Sequence, residues 1–259
     1  KTAWSGIGIV GVLAAFAILA FYTVVGGWTL DYLVRSVIHI FSKPDISALE
    51  SQFTTMVTSP VRPIVWTVVF MIVCAFIVMC GIKKGIEKYS RIMMPFLFLM
   101  IVILMVRSVT LPGAGEGISF LIKPDFSKIN TTVVLAALGQ AFFSLSLGMG
   151  CLITYGSYIP DKENLSKLSF TTALSDTLFA MLAGLAIMPA VFAFGISPQE
   201  GPGLVFIVLP RIFAQIPLGN VFAVMFFIIL LIAAITSVIS LLEVITAYVT
   251  EKLKLKRIV

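Results

Sequence analysis

Hydrophobic residues do not alternate with polar ones along this chain; they gather into six long apolar runs separated by short clusters of charge, proline and glycine. The runs extend approximately from Ile7 to Val34, Ile64 to Ile82, Ile92 to Val109, Val133 to Ile159, Leu168 to Phe194 and Phe222 to Tyr248. A membrane-spanning helix needs about 20 mostly apolar residues, and each run is about that long or longer. Backbone in lipid must satisfy its own hydrogen bonds, so runs of this length without barrel-like alternation predict helices. The expected fold is therefore an all-α membrane protein with six transmembrane helices in one domain.

Composition agrees with that pattern. Hydrophobic residues make up 59% of the 259 positions and charged residues only 12%. Roughly a quarter of a soluble domain is charged, so these few charges cannot give a chain of this size a water-facing surface. Lipid bilayer is the expected partner.

The loops then set the expected orientation. Lys83 to Arg91, Pro160 to Lys167 and the basic tail after Glu251 fall on one side together with Lys1. Positively charged loops stay in the cytoplasm, which predicts a multi-pass protein of the plasma (inner) membrane with both chain ends cytoplasmic. The longer connections, roughly 35–63, 110–132 and 195–219, fall on the other side. The net charge of +6 is accounted for by these loops, as topology signal and lipid contact, and no nucleic-acid partner is expected.

Several chemistries are excluded. The three cysteines, Cys74, Cys80 and Cys151, are odd in number and lie in apolar runs, so they imply no disulfide framework. His39 is the single histidine, without partners at zinc-ligand spacing. An intramembrane protease would need a serine with histidine, an HExxH motif or two suitably placed aspartates, and this chain has one loop histidine and one mid-helix aspartate. No enzyme activity is expected.

Polar residues inside the runs carry what chemistry remains. In the fourth run, Ser144, Ser146, Gly148 and Gly150 weaken consecutive turns, since glycine costs about 1 kcal/mol of helix propensity against alanine. Such a stretch either unwinds around a binding site or packs closely against a neighbouring helix. Asp176 lies about 12 Å into the fifth run, too deep to reach water, and an intramembrane carboxylate marks a functional site unless it is neutral and hydrogen-bonded. Glu243 is nearer the cytoplasmic end, where it either reaches water or serves a structural or gating role. Thr236 and Ser237 place hydroxyls beside the carbonyls of Ala233 and Ala234: hard oxygens suited to Na⁺, or ordinary bonds back to the preceding turn. Tyr22 needs a hydrogen-bond partner if buried.

Taken together, these segments resemble the neurotransmitter:sodium symporter family in residue type, order and spacing. The resemblance runs through FYTVVGGWTLDY (Phe21 to Tyr32), GIEKYSRIMMP (Gly85 to Pro95), LPGAGEGISFLIKPDFSK (Leu111 to Lys128) and GQAFFSLSLGMGCLITYGSY (Gly139 to Tyr158). It continues through SDTLFAMLAGLAIMPAVFAFG (Ser175 to Gly195), GPGLVFIVLP (Gly201 to Pro210) and AAITSVISLLE (Ala233 to Glu243). In register, the six runs look like the family's helices 3 to 8. The resemblance implies part of a five-plus-five inverted-repeat fold, broken near residues 144–150.

The implied activity is sodium-coupled symport of an amino acid by alternating access. Tyr22, Phe143, Ser144, Ser146 and Met149 fall on substrate positions, with Ile18, Val25, Ser237 and Leu241 lining the same pocket. Ser144 and Asp176 fall on ligand positions of a first sodium site; the Ala233 carbonyl with the Thr236 and Ser237 hydroxyls falls on the second. Gln140 and Asp176 match the region that holds chloride or its substitute. Chloride-dependent members carry serine where this chain has Ala180, so coupling without chloride is the expectation. Gly85 and Pro95 match a cytoplasmic gating segment. Met149 between two glycines makes a roomy, adaptable pocket, favouring a hydrophobic or aromatic substrate.

The family core has ten helices, and the match covers the middle six. Both sodium sites are therefore incomplete here, and the missing helices of the parent transporter are expected partners, without which this chain does not transport. The competing expectation is a non-transporting membrane binding or structural subunit of the same fold.

Overall fold

A computed structural model of the chain describes residues 5–38, 46–81, 86–160, 162–195 and 204–254. Among them the regular structure is helical: α1 (Ser5–Val37), α2 (Ile46–Thr58), α3 (Arg62–Met79), α4 (Lys88–Val109), α5 (Ala114–Ile122), α6 (Thr131–Ser144), α7 (Cys151–Gly156), α8 (Leu165–Ala193), α9 (Leu209–Gln215) and α10 (Gly219–Leu253). Five of these, α1, α3, α4, α8 and α10, are long and apolar enough to cross a membrane. The fourth apolar run is split between α6 and α7, each too short to cross alone. The chain is an all-helical, multi-pass membrane protein.

Two helices, α6 and α8, start where capping chemistry dictates, a few residues ahead of their apolar runs. Asn130 Oδ1 accepts from the Val133 amide at 2.9 Å, and Asn164 Oδ1 accepts from the Lys167 amide at 3.0 Å. Each asparagine satisfies an otherwise orphaned amide, so α6 and α8 begin earlier than hydrophobicity alone indicates. α3 starts at Arg62 with Pro63 in its first turn, where the missing N–H costs nothing. At 35 residues, α10 is about 52 Å long, well beyond the roughly 30 Å hydrocarbon layer, and its charged last turn extends past the lipid.

α10 is the central post. It packs most extensively on α1, and also on α3, α4, α7 and α9. α1 and α3 meet without side-chain spacers: a Cβ on Gly27 would lie 2.7 Å from the Thr67 backbone nitrogen, so only glycine permits this approach. Two apolar clusters result. The outer one holds Tyr32, Phe206 and Phe227, and the inner one holds Leu19, Cys74, Met149 and Val238.

A second layer, α4 with α8 and the short α5, packs on this post. Pro189 lies inside α8 and cannot donate to the helix ladder. The next amide, that of Ala190, donates to Ser108 Oγ of α4 at 3.0 Å, so the disturbed turn is tied to its neighbour. Pro95 sits in the third turn of α4 rather than its first, because the helix already begins at Lys88. Gly85 lies outside the described residues. Between spans, hydrogen bonds from Ser127 and Lys128 hold the Asp125 carboxyl below the usual carboxylate range.

Candidate functional site

The site is organised around the interruption between α6 and α7. α6 ends at Ser144, and the chain turns back so that the Leu147 amide donates to the Phe142 carbonyl at 2.8 Å. Ser146 adopts φ 54°, Gly148 φ 78° and Gly150 φ 77°. Glycine takes such angles freely, but for a serine the left-handed region costs about 1–3 kcal/mol and persists only where surroundings enforce it. Ser144, Ser146, Gly148 and Gly150 therefore mark real unwinding, not merely close packing. The positive φ of Ser146 has no signal in the sequence.

A cavity of about 270 Å³ opens against this break. Ile18 and Tyr22 face it from α1, and Gln140, Phe143 and Ser144 from the end of α6. Ser146 and Met149 line it from the unwound segment, Asp176 from α8, and Ser237 and Leu241 from α10. Residues scattered over more than two hundred positions are brought together here. Val25 alone among the expected pocket residues lies away from this cavity, packed against the outer apolar cluster. The Tyr22 and Phe143 rings are 6.5 Å apart, forming an aromatic pair at one wall.

At the polar end of the cavity, Ser144 Oγ lies 2.8 and 2.7 Å from the two carboxylate oxygens of Asp176. A carboxylate and a hydroxyl this close form a compact set of hard oxygens, the donor type that alkali and alkaline-earth cations take. On the far side of Asp176 a larger cavity of about 870 Å³ is lined by Ser144, Asp176, Ala233, Thr236 and Ser237, with Pro95 at its α4 wall. Thr236 Oγ1 donates to the Ala233 carbonyl at 2.9 Å, the bond back to the preceding turn that is the alternative to an ion site. Among the described residues there is no cluster of three His, Cys, Asp or Glu side chains that could hold a metal ion.

Two polar features lie apart from these cavities. Glu243 is fully buried, which removes the reading in which it simply reaches water, and Tyr158 Oη donates to its Oε1 at 2.7 Å. At the outer ends of the helices, buried Asp31 accepts from Arg62 Nε and Nη2 at 3.0 and 2.8 Å, while Arg35 Nε lies 2.8 Å from its other oxygen. Arg35 also reaches Gln52 of α2. Sequence reasoning did not single out this network, although Asp31 and Arg35 stand at the i,i+4 spacing that places both on one helix face.

Comparison with known proteins places this geometry in context. A model of the Sodium:neurotransmitter symporter family matches residues 52–258. An uncharacterized sodium-dependent transporter of Bacillus subtilis is 41% identical over 99% of this chain and 57% of its own length. Another from Haemophilus influenzae is 43% identical over 98% of this chain and 56% of its own. The crystal structure of MhsT in complex with L-phenylalanine superposes with a TM-score of 0.92 at 45% identity, covering 99% of this chain and 58% of that one. The chain thus spans a little over half the length of the relatives it matches.

Proposed function

Because the chain belongs to the sodium:neurotransmitter symporter family, we propose that it supplies one side of the substrate and ion site of a sodium-coupled symporter for hydrophobic or aromatic amino acids. The observation that carries the reading is the shared cavity, in which ten of the expected site residues meet around a broken helix.

The chemistry follows from what each wall offers. Ile18, Met149 and Leu241 present apolar surface, and Tyr22 and Phe143 add aromatic faces for a hydrophobic side chain. The L-phenylalanine held by MhsT supports a large apolar substrate. Turns left without helix hydrogen bonds at membrane depth offer free amides and carbonyls to an amino acid's charged groups.

Na⁺ enters as co-substrate. Ser144 and Asp176 hold the first ion, and Ala233, Thr236 and Ser237 hold the second; further ligands come from the parent transporter beyond this chain. Bound cations beside the substrate carboxylate offset its desolvation and link the two binding equilibria, so downhill sodium entry drives amino-acid entry. The Asp176 carboxylate supplies the negative charge that chloride supplies elsewhere, and coupling proceeds without chloride. Pro95, at the wall of the larger cavity, marks the weakened part of α4 through which the second ion reaches the cytoplasm. Both chain ends lie on the cytoplasmic side.

The test is sodium-stimulated binding of a hydrophobic amino acid by the full-length transporter containing this chain. Loss of that stimulation in Asp176→Ala supports the assignment, and sodium-independent binding by the unaltered protein rejects it.

A further inference from the structure

Below the expected second sodium site, α10 carries polar residues on one face at Thr236, Ser240 and Glu243, one helical turn apart. Two tyrosines, Tyr155 of α7 and Tyr158 of the turn that follows it, reach that face. Tyr155 Oη donates to Ser240 Oγ at 3.0 Å, and Tyr158 Oη donates to Glu243 Oε1 at 2.7 Å. Ser240 Oγ in turn donates to the Thr236 carbonyl at 3.0 Å, and Thr236 Oγ1 donates to the Ala233 carbonyl. Hydrogen bonds therefore run from α7, through Ser240, to the main-chain carbonyl of Thr236, the residue whose own hydroxyl bonds the Ala233 carbonyl.

We infer that Tyr155 and Ser240 are positioning residues for the second sodium site, transmitting the position of the inner half of the broken helix to the ion's ligands. The inference rests on the proposed assignment of Ala233 and Thr236 to that site. Its physical basis is local. A serine bonding back to the carbonyl four residues earlier bends its helix slightly, and here that bond is fixed by a tyrosine on another element. The turn containing Thr236 is thus held in one geometry only while α7 stays seated. The Tyr158–Glu243 contact, one turn lower and closed around a fully buried carboxyl group, keeps α7 seated. By linkage, occupancy of the sodium site favours the seated position of α7, and release of α7 toward the cytoplasm weakens sodium binding.

The experiment measures sodium half-saturation and amino-acid affinity at saturating sodium, in the full-length transporter. Tyr155→Phe and Ser240→Ala each raise the sodium half-saturation by about fivefold, the effect of one lost hydrogen bond, while amino-acid affinity at saturating sodium changes less than about twofold. Ser240→Thr, which keeps the hydroxyl, restores the unaltered value. The double variant behaves like either single one, since both remove the same connection. The inference is overturned if the two effects multiply, if half-saturation does not move, or if sodium and amino-acid curves shift together. If the unaltered protein binds amino acid without any sodium dependence, the sodium-site reading falls first and this inference with it. Should Tyr155→Phe fail to fold, the Ser240 pair carries the same test.

Discussion

Ser144 Oγ stands within hydrogen-bond distance of both oxygens of Asp176, 32 residues away on another helix. That contact joins the end of α6, where the backbone unwinds, to the middle of α8, so the carboxylate is fixed at the edge of the substrate cavity. On the proposed assignment, removing either side chain takes away one oxygen ligand of the first sodium ion. A hydrogen bond or ligand to a charged group is worth about 1.5–3 kcal/mol, so Ser144→Ala raises the sodium half-saturation roughly tenfold or more. Asp176→Ala removes the charge as well and abolishes sodium stimulation. Isothermal or scintillation binding at graded sodium concentrations checks both.

On the proposed reading, in which Asp176 provides the fixed negative charge, replacing chloride by gluconate leaves uptake by the full-length transporter unchanged. Asp176→Asn creates a requirement for chloride or loses transport altogether. Uptake by the unaltered protein that vanishes in gluconate contradicts the assignment.

Gly150 opens α7 at φ 77°, and a Cβ there would lie 2.9 Å from Val244 Cγ1. Gly150→Ala therefore meets both backbone strain of about 1–2 kcal/mol and overlap with α10. It lowers thermal stability and shifts α7 away from α10. Gly6→Ala, where a Cβ meets nothing within 4 Å, is the control and leaves the melting temperature unchanged or slightly higher. Melting in detergent compares the two directly.

Asp31 is 1% exposed and holds both Arg35 and Arg62. Asp31→Ala leaves Arg35 buried without its carboxylate, a change that costs about 3–5 kcal/mol where a buried pair is broken. The melting temperature falls sharply, and removing Arg62, whose side chain is 46% exposed, has a much smaller effect.

Hydrophobic run length alone made the helical membrane fold legible, since only lipid explains so many consecutive apolar residues. The break was legible because glycine and serine crowd together at 144–150, whereas its geometry was not: the positive φ of Ser146 is imposed by tertiary surroundings. Helix ends were displaced by capping asparagines, whose effect hydropathy does not register. Pocket residues such as Tyr22, Phe143 and Leu241 were identified through resemblance rather than periodicity. Glu243 shows the limit most clearly. Its distance from the end of the run left solvent and burial equally open, and only the turn after α7, which bears Tyr158, decides for burial.

The central claim is that this chain forms part of a site in which sodium and a hydrophobic amino acid bind together. Equilibrium binding of labelled L-phenylalanine to the full-length transporter, with sodium replaced stepwise by potassium, tests it most directly. The account predicts saturable binding that rises with sodium and is lost in Asp176→Ala. Binding of equal strength in sodium and potassium, unaffected by Asp176→Ala, would contradict it.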